Sequence, residues 1–287
     1  MIAVVLALFA AASNALASVL QRRAARLVPQ EKAFRPALIV ALVRQPVWLG
    51  GIAALISGFI FQAWALAEGA LALVQPLLVV ELPFTMLAIG WLLGVRLDRR
   101  SWLAVGTMTA GLAVFLASGA PGMGHRSPTS TEWTLAAIVT VATVIGLVML
   151  THVITTPAGR AAVLGVAAGI GFAFTATFIK ESTIIFQRDP AVLATSWQLY
   201  AMVLGGLCSL FLLQNALQSG PLVAAQPALT TTDPVASVLY GLMIFGEQLR
   251  LGGWLVLEAL GAGMIIYGSF LLAQSPPLRA QAAAAPG

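Results

Sequence analysis

Residues 65–78 read ALAEGALALVQPLL and residues 216–229 read ALQSGPLVAAQPAL, with seven identities in fourteen positions that include the Gly, the Gln and the Pro. Two further pairs of segments resemble each other in the same order: GVRLDRRSWLAVGTMTAGLAVF (94–115) with GEQLRLGGWLVLEALGAGMIIY (246–267), and VLALFAAASNALASVLQRR (5–23) with VLGVAAGIGFAFTATFIKE (163–181). We therefore predict that the chain contains two copies of one structural unit.

The composition indicates a membrane protein. Of the 287 residues, 60% are hydrophobic and 9% are charged, whereas soluble domains carry about 25% charged residues. Apolar runs of about 18 residues or more recur along the chain, and each is long enough to cross a bilayer as a helix. The fold class is therefore predicted to be an all-α integral membrane protein. The single cysteine, Cys208, excludes a disulfide within the chain.

Nine membrane spans are predicted, at 2–20, 46–67, 70–94, 102–118, 133–151, 159–179, 193–213, 219–245 and 252–272. The first span lacks the positively charged start of a cleaved signal peptide, so we expect it to be retained. The apolar stretch 36–43 lies between Arg35 and Arg44 and is too short to span alone. An interfacial helix there is favoured, and a tenth span is the alternative.

The repeat divides the chain into a first transmembrane repeat (1–119), a loop and linking helix (120–158), a second repeat (159–273) and a disordered cytoplasmic tail (274–287). Each repeat holds four predicted spans. Because five spans precede the second copy, it enters the membrane from the opposite side and is inverted. Many secondary transporters use inverted repeats to form two alternately open states.

The distribution of basic residues predicts the orientation. The chain has 15 basic and 10 acidic residues, and in the nine-span arrangement eleven basic residues fall on one side and four on the other. Since basic loops remain in the cytoplasm, we predict a plasma (inner) membrane protein with its N-terminus outside and its C-terminus cytoplasmic. The expected partners are membrane lipid and a small-molecule or cation substrate. Nucleic acid is not expected, and a homodimer is left open.

Two acidic residues are predicted near the middle of the membrane. Residues 73–84 read LVQPLLVVELPF, which places Glu81 near the centre of span 70–94. In the second copy, TTTDPV places Asp233 near the centre of span 219–245, one position away in the alignment. A charged group at mid-bilayer costs about 2.5–3.5 kcal/mol on insertion scales. Two such residues at related positions favour a binding role over glue between helices, which is the alternative.

Prolines and further polar residues surround these acids in sequence. The proline pairs are predicted to break their helices and free backbone carbonyls, which is tolerated where the backbone lines a cavity; packing kinks are the alternative. The predicted hinge residues are Pro76, Pro83, Pro227 and Pro234. The predicted substrate-binding residues are Glu81, Asp233, Gln75, Gln226, Thr231, Thr232, Asn14 and Gln62. If a metal cation is carried, Glu81 and Asp233 would hold it.

The remaining charged residues near span ends receive simpler interpretations. Glu258 is expected at the rim or in an outer vestibule, and Glu247 is expected to pair locally with Arg250. Lys180 and the residue after it are expected to mark the end of a span. Nucleotide-binding and hydrolase motifs are absent from the sequence. We therefore predict no enzyme activity and no cofactor, with transport coupled to H⁺ or another ion or running downhill.

The chain resembles the drug/metabolite transporter superfamily. The resemblance rests on the pattern A-L-x-x-G-x-L-x-x-x-Q-P at 65–76, on G-E-x-L at 246–249 and on the inverted repeat. Within the superfamily, the nine spans and the lysine in FIKE (178–181) are most similar to the NIPA-type magnesium transporters. The resemblance implies a secondary transporter that binds its substrate between the repeats.

One motif departs from the NIPA-type pattern. These transporters carry Gly-Glu-x-x-Asn in the helix that corresponds to span 46–67, whereas this chain reads GFIFQ at 58–62. Phe59 replaces the glutamate and Gln62 replaces the asparagine. The sequence therefore favours a small polar or cationic solute as substrate. The alternatives are Mg²⁺ transport and a non-transporting membrane subunit of a cell-envelope complex.

Overall fold

The computed structural model describes residues 1–26, 45–93, 98–119, 122, 124, 128–248 and 253–273. Its regular structure is helical: α1 (Ile2–Arg26), α2 (Pro46–Glu68), α3 (Leu71–Leu78), α4 (Glu81–Leu93), α5 (Arg99–Gly119), α6 (Ser130–Leu150), α7 (Pro157–Arg188), α8 (Pro190–Leu193), α9 (Trp197–Ser219), α10 (Leu222–Phe245) and α11 (Trp254–Ala273). Within these residues, eight segments are long and apolar enough to cross a membrane, with α3 and α4 forming one of them. The all-α membrane fold is thus confirmed. The segment 36–43 and the tail 274–287 lie outside the described residues.

Helix starts and stops follow local capping chemistry. The Thr129 side chain accepts from the Glu132 backbone N–H, and the Glu132 carboxylate accepts from the Thr129 backbone N–H, which together begin α6. Before α5, hydrogen bonds from Ser101 hold the pKa of the Asp98 carboxyl below its usual range. Gly246 ends α10 in the left-handed region at φ 61°, a conformation that favours glycine. That turn directs the next residue, Glu247, back across the bundle.

The two proline pairs have different effects on their helices. Between Pro76 and Pro83 the helix is interrupted at residues 79–80, and Glu81 becomes the first residue of α4. The break is bridged by backbone hydrogen bonds between residues three apart, as in a 3₁₀-helix. The N–H of residue 80 donates to the Leu77 carbonyl oxygen and that of Leu82 to the carbonyl oxygen of residue 79, each at 3.1 Å. Helix α10 contains both of its prolines and continues from residue 222 to residue 245. A break was predicted in the second copy as well. That prediction is wrong, because α10 remains helical through both of its prolines.

Helix α7 is longer than its predicted span. The polar pair at 180–181 was expected to mark the end of the span, but the helix continues for about two more turns to Arg188. It ends where Asp189 becomes extended and its side chain accepts from the Ala191 N–H to begin α8. Glycine and proline, which stop helices, are absent between residues 172 and 189. Lys180 therefore lies inside a helix, with its side chain in the protein interior.

The helices pack as closely associated pairs. Helix α1 packs along α2, α7 packs along both α9 and α10, and α5 packs along α11. Helix α3 contacts α1, α7 and α10, so the interrupted span lies between the two halves of the sequence. At the α5–α11 contact, a Cβ at Gly261 would lie 2.6 Å from the Phe115 backbone nitrogen. Small residues thus permit close backbone approach, as is usual between helices in membranes.

Candidate functional site

A cavity of about 720 Å³ lies at the centre of the described helices. Its walls come from α1, α2 and the α3–α4 segment, and from α7, α9 and α10. The size falls within the roughly 300–1,000 Å³ of small-molecule sites. Six of the eight predicted substrate-binding residues line it, and with two threonines they form its polar surface: Asn14, Gln62, Gln75, Glu81, Thr175, Gln226, Thr230 and Asp233.

Glu81 reaches this cavity because of the helix interruption. As the first residue of α4, it follows the turn at 79–80 and lines the cavity beside Leu82. Its carboxyl group interacts with the side chain of Asn14 on α1. Asn14 is itself held against α2 at Gly58, where any added Cβ would collide with its side-chain oxygen. The close approach of α1 and α2 therefore positions the amide that meets Glu81.

Asp233 enters the same cavity from the unbroken helix α10. The Ser237 hydroxyl, one turn further along, donates to its carboxylate at 3.4 Å. Helix α7 approaches closely here, since a Cβ at Gly169 would lie 3.1 Å from the Asp233 backbone nitrogen. Within the described chain, neither Glu81 nor Asp233 has an ion-pair partner. The described residues that line the cavity thus include two carboxyl groups and no lysine or arginine.

The two glutamines line the cavity from α3 and α10. Gln75 is 4% exposed, and its buried Nε2 has no hydrogen-bond partner. Gln226 of α10 lines the same cavity. The sequence left open a direct hydrogen bond between these two amides, but none joins them in the described residues. An unpartnered buried donor costs about 1–3 kcal/mol, so the Gln75 amide is suited to hydrogen-bond a bound molecule.

Other predicted site residues are placed elsewhere. Thr231 lines a second pocket on the far side of α10, and Thr232 packs against Gly169 of α7. The structure therefore does not bring these two threonines into the central cavity, whereas Thr230 lines it. Of the predicted hinge residues, Pro234 lines the cavity, Pro76 lines the second pocket, Pro83 lies against α5, and Pro227 is inside α10.

A buried ion pair lies close to one end of the cavity. The Lys180 Nζ donates to the Glu247 Oε1 at 2.6 Å and to the Gly69 carbonyl oxygen at 3.0 Å. The same carboxylate accepts the backbone N–H groups of Leu71 at 2.6 Å and Ala72 at 2.9 Å, which begin α3. We call these five groups the Lys180–Glu247 latch. It joins α7, the turn before α3 and the turn after α10.

The latch lies one turn beyond the cavity lining. Ala176 and Ile179, which precede Lys180 on α7, line the cavity, as does Gln75 one turn into α3. The Lys180 ammonium also lies 4.6 Å from the centre of the Phe245 ring. Behind that ring, the buried Trp133 stacks on Phe178 at 5.1 Å. Charge pairing and aromatic packing therefore lie next to the cavity lining on this side.

The latch was not predicted from the sequence. Lys180 was predicted to mark a span boundary, which is wrong because α7 continues to Arg188 and Lys180 pairs with Glu247, 67 positions away. The predicted local partner of Glu247, residue 250, lies outside the described residues. Two features of the sequence could have indicated the latch: the Gly-Glu of the G-E-x-L pattern and the lysine of FIKE. Glu247 follows the left-handed Gly246, and this turn points its carboxylate at the start of α3.

The fold and the cavity define an all-α, multi-pass membrane protein with an acidic central cavity. Among the described residues, no group of three or more His, Cys, Asp or Glu side chains is placed to hold a metal ion. Glu81 and Asp233 are the two acidic groups on the cavity wall. Their surroundings are amides, hydroxyls and apolar side chains, which suit a solute that carries positive charge and hydrogen-bond donors.

Comparison with known proteins identifies a relative. The chain is 27% identical over 257 residues to an uncharacterized protein of Corynebacterium glutamicum, and the match covers 88% of each chain. No protein-family model matches the chain. No solved structure matches it either.

Proposed function

We propose that the protein is a secondary transporter of the drug/metabolite type that carries a small polar or cationic solute through the central cavity. The observation that carries this proposal is the placement of Glu81 and Asp233 in one cavity whose described lining residues include no lysine or arginine. A carboxylate within a membrane is costly unless a counter-charge compensates it. A bound cation or coupling proton supplies that charge, and the two acidic groups bind them in exchange.

The proposed mechanism is alternating access between inverted repeats. In this proposal α1 to α5 form one repeat, α7 and α9 to α11 form the other, and α6 links them. The packing supports it, because α1 with α2 and α7 with α9 are equivalent close pairs, while α5 with α11 joins the two fourth helices. In this proposal the latch holds one end of the cavity closed, and rocking of the repeats breaks the latch to open that end.

The proposed topology places the latch on the extracellular side. The turn at 69–70, residue 180 and the turn at 246–248 meet at the latch, and the Gly122 N–H donates to the Gln248 carbonyl at 3.0 Å. These four places lie on one side in the predicted arrangement of nine spans. The proposal includes an N-terminus outside the plasma membrane and a cytoplasmic C-terminus, based on the basic residues of the loops.

The alternative functions are less well supported. Mg²⁺ takes oxygen ligands in strict octahedral geometry, and Phe59 lines the cavity where the NIPA-type pattern carries a carboxylate. A non-transporting subunit would be expected to have its two membrane acids satisfied by each other. Glu81 instead faces Asn14, and Asp233 faces Ser237. The carboxyl groups are therefore available to a ligand.

A binding screen tests the proposal. Purified protein would be heated with Mg²⁺, organic cations, amines and neutral metabolites at acidic, neutral and alkaline pH. A ligand that binds only the folded state raises the unfolding midpoint by mass action. We expect at least one cation or amine to raise the midpoint of the wild type without raising that of Glu81→Gln or Asp233→Asn. If every ligand that stabilises the wild type stabilises both variants equally, the central site is refuted.

A further inference from the structure

A second pocket lies on the other side of α10 from the central cavity. It has a volume of about 160 Å³ and shares Thr230 and Pro234 with the cavity, so α10 forms the wall between them. Its lining is mostly apolar side chains of α5, α10 and α11, such as Val238 and Ile265. Glu258 of α11 is the one charged residue among the lining residues, which are all in the described part of the chain.

The Glu258 carboxyl group has no partner for one of its oxygens. The residue is 8% exposed, and its Oε1 is buried without a hydrogen bond. The described residues supply no lysine or arginine to the pocket wall. The sequence predicts a position for Glu258 at the rim or in an outer vestibule, whereas the structure places it in this separate pocket. A buried carboxylate without a counter-charge is costly, so a positively charged ligand would be bound favourably here.

The pocket also offers acceptors for further hydrogen bonds. Pro234 has no N–H, so the Thr230 carbonyl oxygen lacks the donor that residue 234 would supply in a regular helix. Thr231, whose side chain carries a hydroxyl group, belongs to the same lining. Glu258, Thr230 and Thr231 are therefore the lining residues that can offer oxygen acceptors to a ligand. An ammonium group has three N–H donors and no acceptor, and it matches this set.

The remaining surface defines the apolar part of the ligand. A cavity of about 150 Å³ lined by apolar side chains holds one benzene ring, and this pocket has about 160 Å³. Three of its lining residues have exposed apolar side chains: Val235 (51%), Leu239 (53%) and Ile266 (40%). On membrane-spanning helices, exposed apolar side chains face lipid. The pocket therefore opens laterally toward the bilayer.

We propose that this pocket is a second cation site, which binds a small aryl-alkyl ammonium ion that enters from the membrane. The ammonium group pairs with the Glu258 carboxylate and the aromatic ring occupies the apolar part. The site is separate from the central cavity, because Asp233 faces the cavity on the other side of α10. Occupancy of this pocket and occupancy of the central cavity can therefore be removed by different substitutions.

Benzylamine is the probe that tests the site, and benzyl alcohol, its uncharged isostere, is the control. Binding would be measured by isothermal titration and by the unfolding midpoint of purified protein. We expect benzylamine to bind the wild type and the Glu81→Gln/Asp233→Asn double variant. In Glu258→Gln we expect its affinity to fall by about tenfold or more, because a charge-assisted hydrogen bond is lost. Benzyl alcohol should bind the wild type and Glu258→Gln equally.

A second variant keeps the carboxylate and removes the space. Ala262 lines the pocket, and Ala262→Leu fills it, so benzylamine binding should also be lost there. Unchanged affinity in both Glu258→Gln and Ala262→Leu would overturn the proposal. Loss of binding in the Glu81→Gln/Asp233→Asn double variant alone would also overturn it and would place the amine in the central cavity. A negative result for the second site thus does not affect the test of the central site.

Discussion

Neutralising Glu247 should destabilise the protein strongly, because three donors bond to its carboxylate and one of them, Lys180, is also held by the Gly69 carbonyl oxygen. The carboxylate accepts from Lys180 at 2.6 Å and from two backbone N–H groups of α3. Both side chains of the ion pair are buried, at 7% and 0% exposure. Removing one partner of a buried pair costs about 3–5 kcal/mol. Glu247→Gln retains one acceptor oxygen, so we expect a loss of about 3 kcal/mol at the lower end of that range.

The assay is thermal unfolding of the purified protein in detergent. About 1 kcal/mol shifts the midpoint by about 2–4 °C in a chain of this size, so Glu247→Gln should lower it by about 6–12 °C. The matched control is Glu68→Gln, an exposed glutamate just before the Gly69 whose carbonyl binds Lys180. That exposed substitution should change the stability by about 0.5 kcal/mol or less.

A double-mutant cycle shows whether the two side chains act as a pair. In Lys180→Met/Glu247→Gln, no charge remains buried and unpaired. The double variant should therefore lose less stability than the sum of the two single variants, by about 1–3 kcal/mol. Additive losses, or a shift for Glu247→Gln no larger than that for Glu68→Gln, would refute the role of the latch.

Two glycine substitutions give further predictions. Gly58→Ala should displace Asn14 from the cavity and weaken cation binding, since an added Cβ meets the Asn14 oxygen; titration with the stabilising cation measures this, and unchanged affinity would contradict it. Gly261→Ala should destabilise the α5–α11 contact by about 1–3 kcal/mol, because its Cβ would lie 2.7 Å from the carbonyl oxygen of residue 111. Its control is Gly263→Ala, which meets nothing within 4 Å, and equal midpoints for these two variants would contradict the packing.

Much of the fold could be predicted because apolar length is a local property. Each of the nine predicted spans corresponds to a helix, or in one case to the α3–α4 pair. The predicted ends of the spans were less accurate, as α7 shows. A polar pair such as Lys180–Glu181 does not stop a helix unless a glycine or proline follows it. The effect of proline was also context-dependent. The same Gln-Pro and second proline interrupt the first copy and leave α10 continuous.

The central cavity could be predicted in part for the same reason. Acids and amides in the middle of apolar spans must face the interior, and Glu81 and Asp233 do so. The threonines were misplaced because successive residues of a helix differ by about 100° in direction. Residues 226, 230 and 233 share one face of α10, while Thr231 and Thr232 point elsewhere.

The latch and the second pocket depend on contacts between distant segments. Lys180 and Glu247 meet only because the left-handed turn at Gly246 directs the carboxylate to the start of α3. Glu258 lies beside Thr231 because α10 and α11 pack together. The sequence of a single protein does not show which distant residues are in contact. Composition and periodicity predict helices and their polar faces, while the pairing of those faces requires the three-dimensional packing.

Transport of the stabilising cation into proteoliposomes tests the central proposal most directly. Vesicles containing wild-type protein, the Glu81→Gln/Asp233→Asn double variant or the Glu68→Gln control would be mixed with the cation, and their contents measured by mass spectrometry over time. We expect the wild type and the control to fill faster than protein-free vesicles, and the double variant to fill at the protein-free rate. Equal filling by the double variant and the wild type would contradict a transport site at these two carboxylates.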